Sequence, residues 1–239
     1  REEIKTLRTN IQFCGDEKRV IMVTSCLPGE GKTEVSINLA AAIADMGKKV
    51  VLVDLDLRKS VMRSRLQIEG EITGASHFLS GQCPLAEAIL MTTVPRLHVM
   101  IAGRSVPGPT ELLESGRFQS MIDSLRSVYD YVIIDTPPLG LVIDAAIVAK
   151  KCDGAILVVH SGTTKFRLAQ DVKEKLERTG TSILGVVLNK VEVKKNKGYY
   201  SKYYGKRYGG YGKGYGYGKS AYGEYYGADA EAPKKKKRG

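Results

Sequence analysis

Three short stretches hold side chains whose types and spacing suit the handling of a metal–nucleotide complex. The first, Ser25-Cys-Leu-Pro-Gly-Glu-Gly-Lys-Thr33, ends in Gly29-x-Gly31-Lys32-Thr33. In such a loop glycines let backbone N–H groups curl around phosphate oxygens, the lysine reaches the outer phosphates, and the hydroxyl binds Mg2+. Pro28, Glu30 and Glu34 stand among these residues and belong to the same candidate nucleotide-binding segment, while the first position of the G-x-x-x-x-G-K-[ST] pattern is Cys26. The other two stretches end apolar runs in acids: Val50-Val-Leu-Val-Asp54-Leu-Asp56-Leu-Arg58 and Val132-Ile-Ile-Asp135-Thr-Pro-Pro138. Asp54 and Asp56, two apart, share one side of an extended chain. Thr33, Asp135 and one acid of the Asp54/Asp56 pair offer the hard oxygens that Mg2+ needs, and the remaining acid could orient or deprotonate an attacking hydroxyl. Arg58 could stabilise developing phosphate charge or pair with a nearby acid. Each aspartate taken singly reads better as a helix N-cap or loop-terminating residue. Three of them at strand tips beside a glycine-rich loop favour metal–nucleotide chemistry.

Positioning these residues requires strands that end where they stand. Six β-branched runs, 19–24, 49–53, 97–101, 131–134, 154–159 and 183–188, are continuously apolar rather than alternating. That pattern predicts strands covered on both faces, as in a parallel sheet between helices. Segments 33–46, 86–90, 115–128, 143–150 and 166–179 read as helices. Repeated strand–helix–strand units predict an α/β fold with a doubly wound, mostly parallel sheet, whose ligands bind beyond the carboxyl ends of the strands.

The chain has 239 residues, 43% hydrophobic and 26% charged, ordinary globular usage that excludes collagen, coiled coil and wholesale disorder. No stretch approaches the roughly 18 to 20 apolar residues that span a bilayer, so a cytoplasmic chain is expected, and a start at Arg1 without an initiator Met points to a missing natural N-terminus. Cys14, Cys26, Cys83 and Cys152 form no CxxC pair and His77, His98 and His160 no cluster, consistent with reduced thiols and no structural zinc. The net charge of +11 is uneven: residues 194–239 carry 13 basic against 3 acidic side chains, and the rest 24 against 23. A near-neutral domain over 1–193, opening with a helix over 1–14, and a basic tail over 194–239 are therefore expected.

Taken together these motifs resemble the bacterial tyrosine kinases (BY-kinases) of capsule and exopolysaccharide synthesis, in their cytoplasmic, Gram-positive-type form. Ser25-x-x-Pro28-Gly29-Glu30-Gly31-Lys32-Thr33 resembles their Walker A, Asp54-x-Asp56-x-Arg58 their Walker A′ and Ile133-Ile134-Asp135-Thr136-Pro137-Pro138 their Walker B. The resemblance implies a P-loop fold, ATP and Mg2+ as cofactors, and phosphoryl transfer to tyrosine, with Lys32, Asp54, Asp56, Arg58 and Asp135 catalytic and Thr33, Asp54 and Asp135 around the metal. Asn189, in Leu188-Asn189-Lys190, resembles the position that contacts adenine in related P-loop proteins; it could equally be a strand-ending turn residue. Site-selection and DNA-partition ATPases share the acidic strands but carry a signature lysine where this chain has Leu27. No HRD or DFG segment of eukaryote-type kinases occurs. Glu2, Lys5 and Arg8 resemble the family's E-x-x-R-x-x-R helix that packs subunits into a ring, with Lys5 replacing the middle arginine; the same segment also reads as an amphipathic helix docking Ile4, Leu7 and Ile11. Implied partners are further copies of the chain, a separate membrane-bound activator of the polysaccharide co-polymerase type that recruits the kinase to the inner face of the membrane, and a phosphotyrosine phosphatase; nucleic acid is not expected.

Eleven of the thirteen tyrosines lie in the tail: Tyr199, Tyr200, Tyr203, Tyr204, Tyr208, Tyr211, Tyr215, Tyr217, Tyr222, Tyr225 and Tyr226. Glycine and lysine around them predict a flexible, accessible chain, suited to autophosphorylation. About 25 such residues reach on the order of 25–30 Å, enough for transfer between subunits. Each phosphate adds about −1.5 to −2 charges, so roughly five to seven offset the tail's basicity. The competing reading is a P-loop ATPase whose Tyr/Gly/Lys tail and basic end at 233–238 hold nucleic acid or membrane.

Overall fold

Valine- and isoleucine-rich runs form the strands and the segments between them the helices, because β-branched side chains pack well on a pleated surface. A computed structural model describes residues 2–192; the eleven tail tyrosines and the basic end at 233–238 lie outside the described residues. The order is α1 (Glu2–Gln12), β1 (Val20–Ser25), α2 (Lys32–Ala44), β2 (Val50–Asp54), α3 (Met62–Arg65) and α4 (Ala75–Leu79). A 3-10 turn at Leu85–Ala88 leads to β3 (Leu90–Met91) and β4 (Leu97–Met100), then α5 (Pro109–Glu114) and α6 (Gly116–Val128). β5 (Tyr131–Asp135), α7 (Asp144–Ala149), β6 (Gly154–His160), α8 (Phe166–Glu177) and β7 (Ser182–Asn189) complete it.

The strands make one sheet ordered β3-β4-β2-β5-β1-β6-β7. Every pairing is parallel except β3 with β4, as expected for a doubly wound α/β fold. Alternation along each strand feeds two cores. Val20 and Met22 of β1 join Phe118, Met121, Val172 and Leu176 of α6 and α8 on one face; Ile21 and Val23 join Ile11, Leu39 and Ile43 of α1 and α2 on the other. The register then decides the site. Asp54 of β2 pairs with Asp135 of β5, and Val23 of β1 pairs with the same Asp135, so the tips of three adjacent central strands meet.

Three expectations are corrected. Residues 86–90 are not an α-helix: one 3-10 turn gives way to extended Ile89 and to β3, which pairs with β4, because the segment is too short to repay helix nucleation and its apolar residues find a sheet edge. The helices α3, α4 and α5 were not anticipated, since four to six residues are too few for apolar periodicity to show. The run 183–188 is not covered on both faces. As the edge strand, β7 leaves Val186 and Leu188 57% and 54% exposed. Among the described residues, no helix is long and apolar enough to cross a membrane.

Candidate active site

The loop between β1 and α2 turns tightly at Gly29 and Gly31, whose φ values of 78° and 99° lie in the left-handed region that side chains disfavour. Gly31 is required for a second reason: a Cβ there would stand 2.1 Å from Asn189 Nδ2. That amide donates to the Glu30 carbonyl at 2.8 Å, and Lys190 Nζ donates to the Gly29 carbonyl at 2.6 Å, so the end of β7 lies on the loop. Pro28 and Gly29 sit exposed at its rim. Glu30 is buried with its carboxylate turned inward, accepting from the N–H groups of Cys26 at 2.7 Å and Leu27 at 2.9 Å. Glu34, at the start of α2, is exposed and bonded by Asn38. Burial pushes the Cys26 thiol up to about 12, helped by the Glu30 charge, so it stays protonated.

Lys32 and Thr33 open α2 and reach the strand tips. Lys32 Nζ lies 3.1 Å from Asp56 Oδ2 and 3.7 Å from Asp135 Oδ2. Thr33 Oγ1 donates to Asp135 Oδ2 at 2.6 Å, and Ser36, one helical turn after Lys32, comes within 3.4 Å of Asp135 Oδ1. Asp54 accepts from the Asp56 N–H at 3.0 Å and from the Ser60 hydroxyl, and Asp56 accepts from the Lys59 N–H at 3.0 Å. Burial, then the neighbouring Asp135 charge, pushes Asp54 up to about 7. Burial likewise pushes Asp135 up to about 6, although Lys32 and the Thr33 hydroxyl oppose it. Three buried carboxylates around one buried ammonium leave an excess of negative charge. A divalent cation would relieve that excess, and the oxygens of Thr33, Asp135 and Asp54 are the hard donors Mg2+ prefers.

Arg58 stands apart from this cluster. Its guanidinium makes a forked pair with the buried carboxylate of Asp144, Nε to Oδ2 at 2.5 Å and Nη2 to Oδ1 at 3.0 Å, while Thr110 Oγ1 donates to the same carboxylate at 2.9 Å. Of the two roles that spacing left open, the acid partner is present, and it is compatible with a role toward phosphate charge. At the other end of the domain, Lys5 pairs with Glu2 on the exposed face of α1 at 2.9 Å, whereas Arg8 turns inward and donates to the Ala42 carbonyl of α2 at 3.0 Å. Ser60, Thr110 and Thr164 carried no sequence signal, being single polar residues outside any motif. Ser36 was detectable by its i+4 spacing from Lys32.

A parallel sheet that brings a glycine-rich loop, its Lys-Thr pair and a set of acids to adjacent strand tips defines a P-loop nucleotide-binding domain, and the AAA domain family AAA_31 matches residues 18–174. Tyrosine-protein kinase CpsD of Streptococcus agalactiae is 43% identical over 203 residues, 84% of this chain and 89% of that protein. Among solved structures, the chimerical protein CapA2B2 superposes with a TM-score of 0.76 at 35% identity, covering 80% of this chain and 84% of that one. The septum site-determining protein MinD of Pyrococcus horikoshii, complexed with Mg-ADP, superposes with a TM-score of 0.62 at 29% identity over 71% and 69% of the two chains. This chain belongs to the bacterial tyrosine kinases of capsule and exopolysaccharide synthesis and is an ATP-dependent protein-tyrosine kinase.

Proposed function

We propose that this kinase phosphorylates the tyrosine cluster of its own C-terminal segment, one subunit acting on another, and so regulates capsule or exopolysaccharide synthesis or export. The observation that carries the reading is the convergence of Lys32, Thr33, Asp54, Asp56 and Asp135 at the base of the phosphate loop. Backbone N–H groups from Gly29 to Glu34 and the Lys32 ammonium hold the phosphates, and the Asn189 amide, at the loop's edge, meets the adenine. Thr33 and Asp135, with Asp54 close by, would hold Mg2+, which would supply positive charge to offset that of the phosphates. Asp56 anchors the Lys32 ammonium. Whichever acid of the Asp54/Asp56 pair does not serve the metal takes the tyrosine proton. Arg58, oriented by Asp144 and Thr110, presents its charge at the edge of the site.

Assembly into a ring through α1, recruitment to the inner face of the membrane by a membrane-bound activator, and resetting by a phosphotyrosine phosphatase complete the proposal. The exposed Glu2–Lys5 face of α1 supports an intersubunit contact there, while Arg8 braces α1 on its own subunit. The site-selection ATPase reading is disfavoured by Leu27 in place of the signature lysine. Incubation with Mg-ATP should give phosphotyrosine on the full chain and none after Lys32→Met or truncation at Gly198. Transfer from an active, truncated subunit to a full-length Lys32→Met subunit tests the intersubunit step. ATP hydrolysis stimulated by nucleic acid, with every tyrosine unmodified, would refute it.

A further inference from the structure

Glu30 raises a physical question: its carboxylate is buried directly beneath a loop that must bind phosphate. It is 3% exposed, and no cation lies within ion-pair distance among the described residues. Its charge is met by dipoles instead. One oxygen takes the Cys26 and Leu27 N–H groups, and the other takes the Thr164 hydroxyl. Thr164, in the connection from β6 to α8, is itself held in place: its hydroxyl accepts from the His160 N–H at 3.0 Å, and its own N–H donates to the His160 carbonyl at 3.0 Å. A chain of hydrogen bonds thus runs from the end of β6 through Thr164 and Glu30 to the first half of the phosphate loop.

Consecutive backbone N–H groups that point to one spot make an anion-binding nest. Here the nest at Cys26 and Leu27 is filled by the protein's own carboxylate, four residues on. Two consequences follow. Those two N–H groups are unavailable to phosphate, so the ligand falls to the second half of the loop, where Gly29 and Gly31 take left-handed conformations. The loop's first half, which has Cys26 where the general pattern has its first glycine, gains a fixed shape from the brace. The proximity of Gly140 adds to this, since a Cβ there would meet the Cys26 carbonyl at 2.1 Å.

We infer that Glu30 and Thr164 are positioning residues for the nucleotide: an internal carboxylate, held by a hydroxyl from the β6–α8 connection, keeps the phosphate loop in its receiving shape before any ligand arrives. This rests on the kinase site proposed above and adds a residue, Thr164, from outside every nucleotide-binding motif. Geometry, not charge, carries the effect. A glutamine at position 30 can accept from the two N–H groups with its carbonyl and donate to Thr164 with its amide. Alanine or valine at the respective positions breaks the chain.

Calorimetric titration of Mg-ADP tests it without relying on turnover. Glu30→Ala should weaken binding at least tenfold and Thr164→Val about three- to tenfold, while Glu30→Gln and Thr164→Ser stay within about threefold of wild type. In the free protein, Cys26 and Leu27 amides should exchange slowly, and faster in Glu30→Ala and Thr164→Val. Kinetically, KM for ATP should rise more than kcat falls. The inference is overturned if Thr164→Val, folded by its thermal midpoint, binds Mg-ADP within twofold of wild type, or if Glu30→Gln loses as much affinity as Glu30→Ala. Should Glu30→Ala not fold, the Thr164→Val and Glu30→Gln results decide. A wild-type chain that bound no Mg-ADP would overturn the proposed nucleotide site as well, which separates the two failures.

Discussion

Replacing Asp54 with asparagine should abolish kinase activity and yet stabilise the nucleotide-free protein at neutral pH and above, an effect that depends on pH. Asp54 is fully buried and is raised from 3.8 to about 7 by burial and by the Asp135 charge. Three pH units at about 1.4 kcal/mol each put the cost of ionising Asp54 in the folded chain on the order of 4 kcal/mol. Asparagine carries no charge, but its amide group meets the Ser60 hydroxyl or the Asp56 N–H less well than a carboxylate does. Roughly half the gain should survive, about 2 kcal/mol. The sign follows from linkage: a carboxyl with a raised folded pKa contributes stability fully present below its unfolded pKa and lost as pH rises toward the folded one. Because the hydrogen-bond cost is the same at every pH, Asp54→Asn should be about 2 kcal/mol less stable than wild type near pH 4, overtake it as pH rises, and be about 2 kcal/mol more stable from about pH 7 upward. Thermal unfolding without Mg2+ or nucleotide, from pH 4.5 to 8.5, measures it. At about 2–4 °C per kcal/mol for a domain of this size, the plateau is about 4–8 °C. A difference independent of pH, or wild type the more stable at pH 8, would refute the reasoning. Mg-ADP should erase the gap by offsetting the same charge in wild type.

Two further outcomes are expected. Asp144→Ala releases the Arg58 guanidinium and the Thr110 hydroxyl; because the Arg58 side chain is 41% exposed, solvent screening limits the loss of stability to about 1–2 kcal/mol, while kcat should fall at least tenfold with KM for ATP changed little, and unchanged steady-state kinetics would show that Arg58 needs no orienting partner. Gly31→Ala forces alanine into a left-handed conformation and drives its Cβ into the Asn189 amide, so Mg-ADP affinity should drop at least tenfold; since the clash is shared, Gly31→Ala combined with Asn189→Ala should destabilise by less than the sum of the single changes, and strict additivity in thermal unfolding would count against the contact.

Much of the fold and of the site followed from local patterns. Six continuously apolar runs became six strands within a residue or two of their expected bounds, the central ones because a strand buried between helix layers is lined mainly by apolar side chains. Lys32, Thr33, Asp54, Asp56 and Asp135, singled out by their types and their short spacing after a strand, do come together in the fold. Failures came where local pattern was thin or ambiguous. The run at 183–188 is as apolar as a central strand yet lies at the sheet edge, and α3, α4 and α5 are shorter than the period that reveals a helix.

Contacts between distant segments needed the folded chain. The pairing of Asp54 with Asp135 exists because β2 and β5 are neighbours in matching register, a consequence of strand order that no single segment encodes. The partner of Arg58 is 86 residues away. Glu30, which reads as one more loop residue beside a phosphate, turns inward to the loop's own amides because Thr164, 134 residues on, waits there with a hydroxyl. Arg8, expected on an intersubunit face, is bonded to Ala42 because α1 lies along α2. Short-range spacing thus picked out the groups that meet at the strand tips. Packing of remote elements set the direction in which each points, since a side chain's conformation is chosen by the neighbours the tertiary fold supplies.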